Sequence, residues 1–71
     1  REDFAILIVR AKFELAEQSV ESKKVERFQN AIDEYYGFVN EYPKSKFLPK
    51  ATSLYNRAKA FLAKPQNAAQ S

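Results

Sequence analysis

Apolar residues recur at spacings of three and four along most of this chain, which is the period of an amphipathic α-helix. The clearest stripe lies in the middle of the chain and comprises Val25, Phe28, Ile32, Tyr35, Val39 and Tyr42, widened by Ala31 and Phe38. A second stripe follows and comprises Phe47, Leu48, Ala51, Leu54, Tyr55, Ala58, Phe61 and Leu62. These patterns predict two helices, each with one face against a core.

The first part of the chain is apolar on more than one side. Its main helical stripe comprises Phe4, Ile8, Ala11 and Leu15. A second set of apolar residues broadens that stripe and includes Ala5, Ile6, Leu7, Val9, Phe13 and Ala16. A surface helix needs an apolar stripe only about 100° wide. The breadth therefore predicts a first helix with neighbours on two sides, one of them outside this chain.

Local breaks in the pattern set the expected boundaries. The polar run 17–24 predicts the first turn, with Ser19 or Ser22 as the N-cap of the second helix. Pro43 lacks an amide hydrogen and restricts the residue before it, so the second helix is expected to end at or just before Tyr42.

The third helix is expected to be capped by Ser45 and to begin at Lys46 or at Pro49, since proline is tolerated in a first turn. The polar run 65–71 has nothing to bury and is predicted to be disordered. We therefore expect one helical domain over residues 1–64 followed by a tail.

Composition argues against catalysis and cofactor chemistry. The chain has no Cys and no His, so thiol chemistry, the commonest metal ligands and the usual general base near neutral pH are missing. The carboxylates lie mostly on polar helix faces, and the serines have no histidine to activate them. We expect a protein that is not an enzyme and needs no cofactor or metal.

The beginning of the chain suggests a segment of a longer protein. It has neither a starting Met nor the charged region of a signal peptide. The longest apolar run, Phe4 to Val9, is far shorter than the roughly 20 residues that span a bilayer.

The net charge of +3 leaves nucleic-acid binding as a minor alternative. Two basic clusters flank the turns. The first consists of Lys23, Lys24 and Arg27, and the second consists of Lys44, Lys46 and Lys50. Such clusters can contact phosphate. However, a DNA-reading helix presents base-reading side chains at its start, and the third helix begins with packing residues. We therefore expect no nucleic-acid partner.

The corner between the second and third helices resembles a repeat junction. The residues that carry the resemblance are Ala31, Tyr35, Tyr42, Pro43, Ser45, Phe47 and Ala51. This pattern is similar to the tetratricopeptide-like family of BamD-like outer-membrane protein assembly lipoproteins, in which a repeat closes with an aromatic-Pro-x-Ser-x-aromatic string. Upstream, the stretch 11–19 resembles the end of the preceding helix of such a repeat. The similarity covers roughly residues 4–62.

The resemblance implies an all-α fold, an antiparallel three-helix tetratricopeptide-like hairpin plus a C-terminal capping helix. Ala31, Tyr35, Tyr42, Pro43, Phe47 and Ala51 would be its repeat-packing residues. It also implies a non-enzymatic scaffold of the outer-membrane β-barrel assembly complex, located in the periplasm at the inner face of the outer membrane. The membrane would be reached only through an anchor outside this segment. The alternative is a tetratricopeptide adaptor of another envelope or cytosolic complex.

The implied partners are proteins: upstream repeats of the same protein, and other assembly subunits such as a BamA-like periplasmic domain. A strip on the first helix, separate from its main stripe, supplies most candidate partner-binding residues: Asp3, Ile6, Arg10, Phe13, Glu14 and Glu17. Tyr36 is added because it is offset from the main stripe of the second helix. The apolar surface left on the first helix predicts that the isolated chain self-associates.

Overall fold

The computed structural model describes residues 1–63, which form three helices and no strand. Helix α1 spans Glu2–Gln18, α2 spans Glu21–Glu41 and α3 spans Leu48–Ala63. The all-α prediction is therefore confirmed for this part of the chain. The expected domain end at residue 64 and the expected disordered tail lie outside the described residues.

The first turn is shorter than the polar run suggested and consists of Ser19 and Val20. Neither predicted serine caps α2, because Val20 occupies the N-cap position and Ser22 lies inside the helix. The Ser19 hydroxyl donates instead to the carbonyl of Leu15 at 2.7 Å and accepts from the Arg27 guanidinium at 3.0 Å. The last carbonyls of a helix lack intrahelical partners, so Ser19 stabilises the end of α1 and not the start of α2.

The second connection is the proline corner. Helix α2 ends at Glu41, as expected, and the amide of Tyr42 still donates to the carbonyl of Phe38 at 2.8 Å. Ser45 is buried in the corner, where its hydroxyl oxygen accepts from the amide of Phe47 at 3.0 Å. Helix α3 therefore begins at Leu48, between the two predicted starts, with Pro49 in its first turn.

One core joins the three helices. Its buried apolar side chains are Ile6, Val9, Phe13 and Ala16 from α1, Phe28, Ala31 and Phe38 from α2, and Ala51, Leu54 and Ala58 from α3. The four alanines have no measurable exposure, which lets the helix backbones approach closely. Of the expected packing residues, Ala31 and Ala51 are in this core, Tyr35, Tyr42 and Phe47 pack against it, and Pro43 is exposed.

The structure decides which apolar face of α1 meets α2 and α3: it is the face that carries Ile6 and Phe13. Phe13 is 1% exposed and Ile6 is 5% exposed, so both pack inside the chain and are not available to a partner. The main stripe of α1 faces outward, with Phe4 66%, Ile8 37% and Leu15 53% exposed. Both faces of α1 are apolar, so periodicity identifies two stripes without deciding which one meets α2 and α3.

The two faces of α1 predict very different costs for removing a large side chain. We expect Phe13→Ala to lower the free energy of unfolding by about 3–5 kcal/mol, because it leaves a cavity in the core. Leu15→Ala, on the exposed face, should change it by no more than about 0.5 kcal/mol. Urea unfolding followed by circular dichroism measures both, and equal losses would contradict the observed orientation.

Candidate protein-interaction surfaces

The outward face of α1 is a continuous apolar stripe. We call it the outer stripe, and it consists of Phe4, Leu7, Ile8, Ala11 and Leu15, all exposed. At 3.6 residues per turn, Phe4 and Ile6 project about 200° apart, so the outer stripe and the core face lie on opposite sides of one helix. A contiguous exposed apolar patch on a small domain marks an interaction site more often than scattered exposed side chains do.

A groove adjoins this stripe where the start of α1 passes the proline corner. We call it the corner groove; its volume is about 480 Å³ and it is lined by Asp3, Ile6, Leu7, Arg10, Phe47 and Lys50. Ile6, Leu7 and Phe47 supply its apolar surface, and the three charged residues supply its polar surface. Leu7 belongs to both features, so the corner groove and the outer stripe form one continuous surface.

Exposed ion pairs occupy the flank of α1 beside this surface. Arg10 lies 3.5 Å from Glu14 one helical turn away, and Glu17 pairs with Arg57 of α3 at 2.5 Å. All four side chains are at least one-third exposed, so water weakens these pairs to about 1 kcal/mol or less each. The Glu17–Arg57 pair also links α1 to α3.

The structure therefore separates the candidate partner-binding residues into four groups. Asp3 and Arg10 line the corner groove, whereas Glu14 and Glu17 lie farther along α1 and form ion pairs with Arg10 and Arg57. Ile6 and Phe13 belong to the core, although Ile6 also borders the groove. Tyr36 lies elsewhere, on the α2–α3 side of the molecule, where it bonds to Tyr55.

The sequence pattern does not identify three of the residues that line the corner groove as candidate binding residues. They are Leu7, Phe47 and Lys50. The sequence pattern places Phe47 among the packing residues and Lys50 in a basic cluster. The groove depends on how α1 passes the corner, which is contact between residues about 40 positions apart in the chain. The only sequence signal for the groove is the breadth of the apolar surface on α1.

Three tyrosines form a second surface feature, the tyrosine cluster of Tyr35, Tyr36 and Tyr55. The rings of Tyr35 and Tyr55 stack with centroids 4.5 Å apart and planes 12° apart. The hydroxyl of Tyr35 lies 3.2 Å from that of Thr52, and the hydroxyls of Tyr36 and Tyr55 are 3.0 Å apart. Tyr36 is 49% exposed, so this cluster ties α2 to α3 while leaving one phenol open to contact.

The hydrogen bond within this cluster moves two pKa values in opposite directions. The hydroxyls of Tyr36 and Tyr55 share a hydrogen bond, and this bond raises the pKa of Tyr36. The same bond stabilises the Tyr55 phenolate and lowers the pKa of Tyr55, helped by the nearby Lys59 ammonium. Tyr55 therefore ionises before Tyr36 as the pH rises.

A smaller groove, about 260 Å³, lies between α1 and the end of α2. Ala5, Val9 and Phe38 are among its lining residues, with Glu34 and Glu41 also bordering it. Its charge is negative, opposite to the lysine-rich corner.

Residues 1–63 contain no group of three or more His, Cys, Asp or Glu side chains placed to hold a metal ion. Within the same range, no helix is both long and apolar enough to cross a membrane.

Comparison with known proteins gives no assignment: no family model, no curated protein and no solved structure matches this chain significantly. The functional interpretation therefore depends on the surfaces described above and on the junction pattern.

The tyrosine cluster makes a testable prediction about ionisation. Replacing Tyr36 with Phe removes the hydrogen bond that lowers the pKa of Tyr55, so that pKa should rise toward its ordinary value. The ultraviolet absorbance of tyrosinate, followed against pH, measures this shift. Tyr42→Phe is the matched control, because it removes a phenol outside the tyrosine cluster, and it should leave the pKa of Tyr55 unchanged. An unaltered titration of Tyr36→Phe would contradict the hydrogen bond.

Proposed function

We propose that this chain is a helical-repeat segment that binds other proteins and acts by docking rather than by catalysis. The observation that carries the proposal is the two-sided character of α1. One apolar face is buried in the chain's own core, and the opposite face, the outer stripe, is exposed. A single surface helix needs one apolar face, so the second is best explained by another helix packing on it.

The contacts between helices support an antiparallel tetratricopeptide-like hairpin with α3 as its closing helix. Residues near the start of α1, such as Ala5, share a groove with Phe38 and Tyr42 near the end of α2. The ring of Phe28, early in α2, contacts the ring of Phe61, late in α3, with centroids 4.9 Å apart and planes tilted by 36°. Successive helices joined by short connections in this way stack into repeat arrays with extended binding surfaces.

The junction pattern supports a BamD-like role within that class. Two of its small residues, Ala31 and Ala51, lie in the core, and Tyr42 and Pro43 form the corner between the helices. In this proposal the outer stripe receives an upstream repeat of the same protein or another subunit of the outer-membrane β-barrel assembly machinery, such as a BamA-like periplasmic domain. The protein would then act in the periplasm, at the inner face of the outer membrane.

The proposal predicts which substitutions weaken complex formation in cells. Phe4→Glu and Leu15→Glu place a carboxylate on the outer stripe, where burial against a partner costs several kcal/mol, without touching the core. In the tagged, full-length protein, we expect each variant to recover at least tenfold less of the BamA-like subunit, measured by quantitative mass spectrometry.

Asn30→Glu is the matched control, because it adds the same charge at an exposed position of α2. Asn30→Glu should recover as much of the BamA-like subunit as the unmodified protein does. Circular dichroism should show that all three variants are equally folded. Fractionation with the outer membrane but without assembly subunits would favour a different envelope complex. Undiminished recovery by Phe4→Glu and Leu15→Glu would reject docking on the outer stripe.

The same stripe predicts the behaviour of the isolated chain. With nothing covering it, we expect the 71-residue chain to self-associate as its concentration rises, because burying apolar surface is favourable. Leu15→Glu should shift the equilibrium toward monomer and Asn30→Glu should not. Sedimentation equilibrium measures this, and a strict monomer at millimolar concentration would contradict the prediction.

A further inference from the structure

Charge is distributed unevenly over the three helices. Residues 42–63, which contain the corner and α3, carry only cations among their charged residues: Lys44, Lys46, Lys50, Arg57 and Lys59. All nine acidic residues of the chain lie before this segment. A positive corner with an apolar groove in it is therefore a local feature, although the whole chain has a net charge of only +3.

The cations are placed at the corner groove itself. Lys50 lines it from the first turn of α3, and Arg10 lines it from α1. The ammonium of Lys46 lies 5.4 Å from the ring centre of Phe47, another lining residue. Arg10 already pairs with Glu14, whereas Lys50 makes no ion pair or side-chain hydrogen bond with the residues that the structure describes.

The position of Lys50 is locally unfavourable. The first turn of a helix carries a partial positive charge and favours acidic side chains by about 0.3–1 kcal/mol. The first turn of α3 has no acidic residue and contains Lys50. Asp3 is the one carboxylate among the groove residues, and it lies in the first turn of α1, where it complements that helix instead.

We infer that the corner groove binds an acidic peptide segment of a partner protein, one that inserts a large apolar side chain between Leu7 and Phe47 and places flanking carboxylates near Lys50 and Arg10. The groove volume lies within the range of sites that accept one or two large side chains. Carboxylates would neutralise both Lys50 and the start of α3, which supplies the charge complementarity.

This inference rests on the proposed docking function, because a partner seated on the outer stripe would reach the adjoining groove through Leu7. It adds the chemistry of the partner: an apolar anchor bordered by acidic residues. A basic or neutral peptide would leave Lys50 uncompensated and would lose its own solvation near the cations.

The test uses the isotope-labelled 71-residue chain and two blocked peptides. Both peptides have a Phe-Leu centre, flanked in one by glutamates and in the other by lysines. Amide chemical shifts recorded during titration give the site and the Kd. We expect the glutamate peptide to shift the resonances of Leu7, Phe47 and Lys50, and to bind about tenfold more tightly than the lysine peptide.

Lys50→Glu should weaken the glutamate peptide about tenfold and strengthen the lysine peptide. Lys23→Glu is the matched control; it makes the same charge reversal at an exposed position in the first turn of α2, and it should leave both Kd values unchanged. Leu15→Glu should also leave them unchanged, so failure of the outer stripe and failure of the groove are distinguishable.

Three results would overturn the inference: equal affinity for the two peptides, no effect of Lys50→Glu, or shifts confined to the outer stripe. In the Leu15→Glu variant, in which self-association through the outer stripe is weakened, shifts of Phe47 and Lys50 that grow with protein concentration in the absence of peptide would also overturn it, because the occupant would then be a second copy of the chain.

Discussion

The burial of one face of α1 against α2 and α3 is the interaction on which the rest of this structure depends. Phe13 and Val9 are the largest fully buried side chains in the described residues, and both belong to this face. A domain this small buries only about 60% of the surface that its unfolded chain exposes. With neither disulfides nor histidine or cysteine ligands for metal, it has to obtain stability from close helix packing, and the fully buried alanines permit that packing.

That packing also creates the candidate interaction surfaces. Once Ile6 and Phe13 face the core, the geometry of a helix turns Phe4, Ile8 and Leu15 outward. The same orientation brings Leu7 and Arg10 against the corner, where Phe47 and Lys50 complete the groove. The outer stripe and the corner groove are therefore consequences of one choice of helix face. On the other side of the molecule, the tyrosine cluster fixes α2 to α3 through ring stacking and phenol hydrogen bonds.

The distribution of charge gives these surfaces different chemical characters. The outer stripe is apolar, and exposed ion pairs such as Arg10–Glu14 border it. The corner is cationic because every charged residue after Glu41 in the described range is Lys or Arg. The groove between α1 and the end of α2 is acidic through Glu34 and Glu41. A partner that contacts more than one of these surfaces would be selected by its charge pattern as well as by its apolar area.

The amino-acid sequence by itself determined the helical class and the end of α2. The three-four spacing of apolar residues predicts helices, and Pro43 stops α2 because it has no amide hydrogen to donate. Tertiary structure decided which apolar face of α1 is buried, since both faces satisfy the same periodicity and only contact with Phe28, Phe38 and the α3 alanines distinguishes them. It also decided that Ser19 closes α1 instead of capping α2, and that Lys50 lies beside Leu7 and Arg10. Those outcomes depend on contacts between distant parts of the chain, which local patterns do not encode.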